Sequence, residues 1–461
     1  MKKSVFVSAF VIALALCAGA AMADDRAHLD AALAAIDKDD VALAMKEASA
    51  VGEGDPWRAD AQFALAYCYG RAGDPEKAVA AYQEVVKMRA DDARAWNNLG
   101  VALDDLGRFA DAVAAYDKAI ALKPAYASAM NNKGVSLEKM GDDEAAGSLF
   151  HAAIKIDPAY AAAHNNLGAW LYETGDRKSA AREWAEAARL DPSYVSPIVN
   201  ASVLDFEGDH ANVAEARLML LVEQGRATAE AYFNLGIFAF KRGDLENATK
   251  WLEKAQDLRP GDVETLNNLG VVYCCRGNYR RAEAVLRQAT EAKPEWAKAW
   301  DNLGLTLYRM ERPKEARETF EKEVALTPRS SNAHYNLGCA YAAEGDAASA
   351  ARSFENAIAC APDNVEAIHN LAVLLSGMKD RDPARELALY QRAIAVDPTF
   401  AAAHLSLGTF FQSEPKFRDV NKAVFHYEQY VKYEKSDKDK VEEVMRTIAS
   451  LRRATGQWKG L

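Results

Sequence analysis

Cysteine is scarce in this chain of 461 residues: there are six, one of them Cys17 near the start. The other five, Cys68, Cys274, Cys275, Cys339 and Cys360, are odd in number and fit neither a zinc spacing nor a C-x-x-C-H haem attachment. That excludes a disulfide framework; buried thiols are expected, and no metal or cofactor. Beyond the start, no apolar run approaches the roughly 18 residues of a membrane-spanning helix. Positive charge is in deficit, with 56 Lys and Arg against 67 Asp and Glu. A net charge of −11 repels phosphate backbones, which argues against nucleic-acid or anionic-membrane binding. No nucleophile–base pairing, phosphate loop or paired-carboxylate motif stands out, so no enzyme is expected. Alanine, the best helix former, is abundant, which disfavours a β-rich architecture.

The first 23 residues have the layout of a secretory leader. Lys2 and Lys3 form a positive segment, Val5 to Leu16 carries no charge, and Ala21-Met22-Ala23 is an A-x-A cleavage site before Asp24. Residues 1–23 are therefore expected to be a signal peptide, with an exported mature chain of net charge −13 that is periplasmic or secreted. Leu16 before Cys17 is too large for a lipid-attachment site.

What dominates the sequence is a 34-residue period. Asn98-Leu99-Gly100, Asn166-Leu167-Gly168, Asn268-Leu269-Gly270, Asn302-Leu303-Gly304 and Asn336-Leu337-Gly338 share one phase, in units starting at 59, 93, 127 and onward to 365. Within unit 93–126, positions 4, 7, 8 and 11 (Trp96, Leu99, Gly100, Leu103) lie on one helix face. Positions 20, 24 and 27 (Ala112, Tyr116, Ala119) lie on the face of a second helix, Gly107 marks the turn and Pro124 the stop. Each unit is thus a helix A–turn–helix B hairpin. Position 8 is Gly or Ala in nine of ten units and position 20 is Ala in nine. The large residue at position 24 (Tyr82, Tyr116, Phe150, Trp184, Leu252, Phe320) is expected to fill the space beside them.

At these positions the chain resembles the tetratricopeptide repeat (TPR) family, over roughly 340 to 400 residues. The resemblance implies an all-α fold, a right-handed superhelical solenoid of about ten to twelve hairpins with the A helices on the concave side. Solenoid physics agrees, because no hairpin buries its apolar face alone. The expected organisation is a degenerate capping hairpin over 24–58, the array over 59–435, and a capping helix and tail over 436–461, with Val441, Val444, Met445, Ile448 and Leu451 on one stripe. Unit 195–228 loses most of the consensus, and unit 365–400 has two extra residues around Gly377 to Pro383.

One feature rises above the repeat. Asparagine recurs at position 6 in nine consecutive units: Asn98, Asn132, Asn166, Asn200, Asn234, Asn268, Asn302, Asn336 and Asn370. Asn is a mediocre helix former, and position 6 points away from the hairpin core, beside an apolar row at position 9 that includes Val101, Val135, Val271, Leu305 and Val373. An amide offers donors and an acceptor, so a ladder of amides suits the backbone of an extended segment. It looks like the ladder in the TPR superhelix of O-GlcNAc transferase, whose catalytic domain has no counterpart here. The same amides could instead bond the neighbouring repeat. His164, His334 and His404 occupy position 4 and read as packing residues. The leading expectation is a scaffold binding a protein or extended peptide in its concave groove, in envelope assembly or complex formation. The alternatives are a structural spacer with no groove ligand and a non-catalytic subunit of a glycosylation or redox-maturation complex.

Overall fold

The computed structural model describes residues 24–208 and 210–454, so the leader expected over 1–23 and the end of the tail lie outside the described residues. Every described element is an α-helix, and none is long and apolar enough to cross a membrane. The chain divides into two compact units, one ending at Ala227 and the other starting at Thr228.

The first unit contains α1 (24–37) and α2 (Val41–Ala50), then the hairpins α3 (Arg58–Arg71)–α4 (Pro75–Met88), α5 (Ala93–Asp105)–α6 (Phe109–Leu122), α7 (Ala127–Lys139)–α8 (Asp143–Ile156), α9 (Ala161–Glu173)–α10 (Arg177–Leu190) and α11 (Ser196–Glu207)–α12 (Ala211–Glu223). The second contains α13 (Ala229–Lys241)–α14 (Leu245–Leu258), α15 (Val263–Cys275)–α16 (Tyr279–Ala292), α17 (Ala297–Arg309)–α18 (Pro313–Leu326), α19 (Ser331–Glu344)–α20 (Ala347–Cys360), α21 (Val365–Ser376)–α22 (Pro383–Val396) and α23 (Ala401–Ser413)–α24 (Val420–Tyr433), closed by α25 (Lys438–Ala454). Each unit is an all-α stack of hairpins, as the period predicts.

In several hairpins the turn follows from two residues. Gly73 takes a left-handed conformation (φ 75°) that ends α3 at little steric cost. Asp74 then caps α4 by accepting from the Lys77 amide at 3.2 Å. The pattern repeats at Gly243 and Asp244. In α17–α18 the left-handed position is held by Glu311 (φ 57°), a conformation that strains an L side chain.

Helices A and B approach closely where position 8 is glycine. A Cβ on Gly100 would lie 2.5 Å from the Tyr116 ring, and one on Gly270 would lie 2.4 Å from Leu286. Both partners are fully buried. Successive hairpins are joined by a bond that the period did not reveal. The ring N–H at position 4 donates to the carbonyl six residues earlier, at the end of the preceding repeat. Trp96 reaches Ala90 O at 2.9 Å, Trp300 reaches Pro294 O at 2.8 Å, and His164, His334 and His404 reach Pro158, Pro328 and Pro398 O at 3.1 Å. These histidines are therefore packing residues that also bond between hairpins.

Two expectations need correction. Of the five described cysteines, all free, Cys68 is buried but Cys275 and Cys360 are exposed. Both close their helices, where the outer side faces solvent. Met445 is 54% exposed, while Val444 and Ile448 bury against the last hairpin, so the stripe on α25 is narrower than read. The long turn between α21 and α22 is tied down by Arg381, which donates to Glu386 at 2.8 Å and Glu414 at 2.7 Å, both buried carboxylates.

One core position departs from the repeat. Position 27 is a fully buried alanine in Ala119, Ala153, Ala187, Ala255, Ala289 and Ala357, but Glu323 holds it on α18. Glu323 is 6% exposed, its Oε2 has no partner, and burial together with the charge of Asp301 pushes its carboxyl up to about 8.

Candidate peptide-binding face

The nine position-6 asparagines all lie on A helices and fall into two groups. Six donate from Nδ2 to position 5 of the preceding repeat. Asn132 reaches Asn97 Oδ1 at 3.3 Å, Asn166 reaches Asn131 Oδ1 at 3.0 Å and Asn200 reaches Asn165 Oδ1 at 3.1 Å. In the second unit Asn302 reaches Asn267 Oδ1 at 2.8 Å, Asn336 reaches Asp301 Oδ1 at 2.8 Å and Asn370 reaches the Tyr335 hydroxyl at 3.1 Å. In the first unit the chain of amides is continuous. Asn97, Asn131 and Asn165 donate in turn to Asn98, Asn132 and Asn166 at 3.1, 3.4 and 3.2 Å.

The other three lack such an acceptor. Position 5 of the repeat before Asn98 is Phe63, and before Asn268 it is Phe233. Asn98 lies beside the Tyr82 hydroxyl instead. Asn268 turns back to Glu264 O of its own helix at 2.8 Å. Turning away leaves the fully buried Nδ2 of Asn267 without a partner. Asn234 opens the second unit and makes no side-chain hydrogen bond with another described residue.

Position 6 is thus partly a joint between repeats. Each joint uses one of an amide's two N–H groups and holds the amide in one orientation. The acceptors at position 5 were visible in the sequence as the doublets Asn97-Asn98, Asn131-Asn132, Asn165-Asn166 and Asn267-Asn268. A helical wheel alone does not show that position 5 is buried against the next A helix, as Asn97 (6% exposed) and Asn131 (4%) are.

Beside the amides, position 9 leaves apolar surface in water. Tyr67 is 40% exposed, Val101 40%, Leu305 37% and Val373 44%. Around Asn98 this face deepens into a cavity of about 250 Å³ lined by Tyr67, Tyr82, Asn98, Val101, Arg71 and Asp105. Position 30, at the ends of the B helices, forms a second exposed row that the sequence reading did not single out, including Met88, Leu122, Leu258 and Leu326. Among the described residues no cluster of three or more His, Cys, Asp or Glu could hold a metal ion. The face can supply amide hydrogen bonds and apolar contact.

A family model described as tetratricopeptide repeat matches residues 63–127, 102–160, 131–195, 275–331 and 302–365. A second of the same description matches residues 226–295, and the matched stretches together span more than half of the chain. Among solved structures the chain is similar to yeast Tom70, with 14% identity over 86% of this chain and 96% of that one and a TM-score of 0.41. It is also similar to a tetratricopeptide repeat protein from Parabacteroides merdae, with 15% identity over 54% of this chain and 98% of that one and a TM-score of 0.48. No curated protein matches the chain.

Proposed function

Because the chain belongs to the tetratricopeptide repeat family, whose stacks typically serve as protein-interaction scaffolds, we propose that it is an exported, non-catalytic scaffold holding an extended segment of a partner protein along its A helices. One observation carries this reading: apolar position-9 side chains stand exposed on the same A helices as the position-6 amides, and each amide keeps at least one N–H group outside the joints between repeats. An extended peptide needs both, hydrogen bonds for its backbone and apolar contact for alternate side chains. Export rests on the leader-like residues Lys2, Lys3, Val5 to Leu16 and Ala21-Met22-Ala23. It places the partner in the periplasm or outside the cell.

A photo-cross-linking residue at Val101 or Leu305 tests the face, with exposed Leu258 at position 30 as the control. Cross-links from the first two and not the third support the reading; the reverse pattern overturns it. Intact mass of the mature protein tests export, which requires a first residue of Asp24; a retained Met1 contradicts it. A second reading, a spacer with no groove ligand, is favoured by the six amides that bond between repeats. It predicts no cross-links at either position.

A further inference from the structure

Repeat 297–330 departs from its neighbours at two positions at once. Position 5 is Asn97, Asn131, Asn165 and Asn267 in four other repeats, and here it is Asp301. Position 27, a buried alanine in six others, is Glu323. Both changes put a carboxyl where the pattern has an uncharged group, and both fall in one seam. α18 packs against α17 and α19, and α19 packs against α17 as well. Glu323 is buried on α18, so α17 and α19 are what cover it. Asp301, on α17, accepts from Asn336 of α19 at 2.8 Å. It is also the one charged group that acts on Glu323. Among the described residues no cation from α17, α18 or α19 bears on either carboxyl.

A buried carboxyl pair carries one charge far more easily than two. The Asn336 amide donates to Asp301 and favours a negative charge there. Glu323 has no donor for its Oε2 and keeps its proton instead. Burial and the charge of Asp301 hold its carboxyl up to about 8. Once that proton passes to water, two like charges stand in the seam without hydration or a counter-ion. Admitting water relieves them, and a stack held by nearest-neighbour contacts can open at one seam without unfolding elsewhere. Opening returns Glu323 toward its ordinary value of 4.5, so the open form gains on the closed form as pH rises from 4.5 and stops gaining near 8. The joints Asn97–Asn132, Asn131–Asn166, Asn165–Asn200 and Asn267–Asn302 are amide to amide and have no such response.

We propose that the seam between the α17–α18 hairpin and α19 is a pH-operated joint, closed while Glu323 holds its proton and opened to water when that proton is lost. Asn302 and Leu305 stand on one side of it and Asn336 on the other, so opening changes the A-helix face in this stretch alone. The inference stands whether or not that face holds a segment.

Hydrogen exchange of the whole mature chain, read by mass spectrometry from about pH 5 to about pH 9 and corrected for the intrinsic exchange rate, reports each seam separately. Protection in α18 and α19 should fall by at least about tenfold between pH 5 and pH 8 and then level off. Peptides of α5, α7 and α9, from the amide joints, should keep theirs. Glu323→Gln keeps the shape and removes the charge, and should hold the seam closed throughout. Glu323→Ala restores the residue of the other repeats and should do the same, so the test does not depend on one variant folding. Asp301→Asn should leave a smaller pH response, because one like charge is gone. Unchanged protection of α18 and α19 across the range, an equal fall in α5, α7 and α9, or the parent's fall persisting in both Glu323 variants overturns the proposal.

Discussion

Glu323 gives the sharpest stability prediction. The residue is 6% exposed where six other repeats bury alanine, one carboxyl oxygen has no partner, and Asp301 is a like charge nearby. Its pKa rises from 4.5 to about 8 on folding. Between those values the folded chain binds more protons than the unfolded chain. The stability it contributes is therefore fully present below pH 4.5 and lost as pH climbs to about 8. The full cost at alkaline pH is at most about 5 kcal/mol. Glu323→Ala removes that cost and gives up about 1–2 kcal/mol of methylene burial. The variant should be more stable than the parent by about 2–4 kcal/mol near pH 8, and equal or slightly weaker near pH 4.5. Thermal melting from pH 4.5 to 9 should show the two curves separating by a few degrees as pH rises. Parallel curves, or a variant less stable at every pH, would refute the reasoning.

Three further predictions concern other repeats. Gly270→Ala should cost about 1–3 kcal/mol because its Cβ would press on Leu286, whereas Gly70→Ala, with nothing within 4 Å, should gain about 0.5–1 kcal/mol; urea unfolding of both separates packing from propensity. Glu311→Gly should stabilise by about 1 kcal/mol by relieving the left-handed residue, read as a raised Tm. The buried His404 and His426 meet Nδ1 to Nδ1 at 3.1 Å, and His404 already offers Nε2–H to Pro398 O. Burial, the neighbouring His404 and Lys422 hold His426 down at about 4, so stability is intact above pH 6.5 and lost as pH falls through 4. His426→Phe should flatten that acid loss in pH-dependent melting; an unchanged acid limb would contradict the assignment.

The repeat register and the Gly–ring packing were legible because both follow from a 3.6-residue period and side-chain size. Positions 8 and 24 recur in phase, and one of them can only be small when the other is Tyr116 or Phe320. Bonds that cross from one hairpin to the next were harder to read. The Trp96 and His164 ring N–H groups meet carbonyls of the preceding repeat, and a single-helix projection does not contain that partner. The same blindness hid position 5. The outward direction of position 6 was readable, but its distance from Asn97 or Asn165 depends on how closely successive A helices stack. Exposure of Cys275 and Cys360 was missed for a related reason, since a helix's last residue escapes the burial its phase implies.

The structure also makes the central claim separable from the stability of the stack. Asn132, Asn166 and Asn200 bond between repeats, so alanine there should lower the melting temperature, at about 0.5–1.5 kcal/mol per bond. Asn98, Asn234 and Asn268 make no hydrogen bond to position 5 of a preceding repeat among the described residues. The most direct measurement is therefore the partner cross-linking yield from Leu305, with melting temperature, in a chain carrying Asn234→Ala and Asn268→Ala together, both on A helices of the same compact unit. If the face holds an extended segment, the yield should collapse while the melting temperature holds or rises, alanine being the better helix former. An undiminished yield at an unchanged melting temperature would contradict the account.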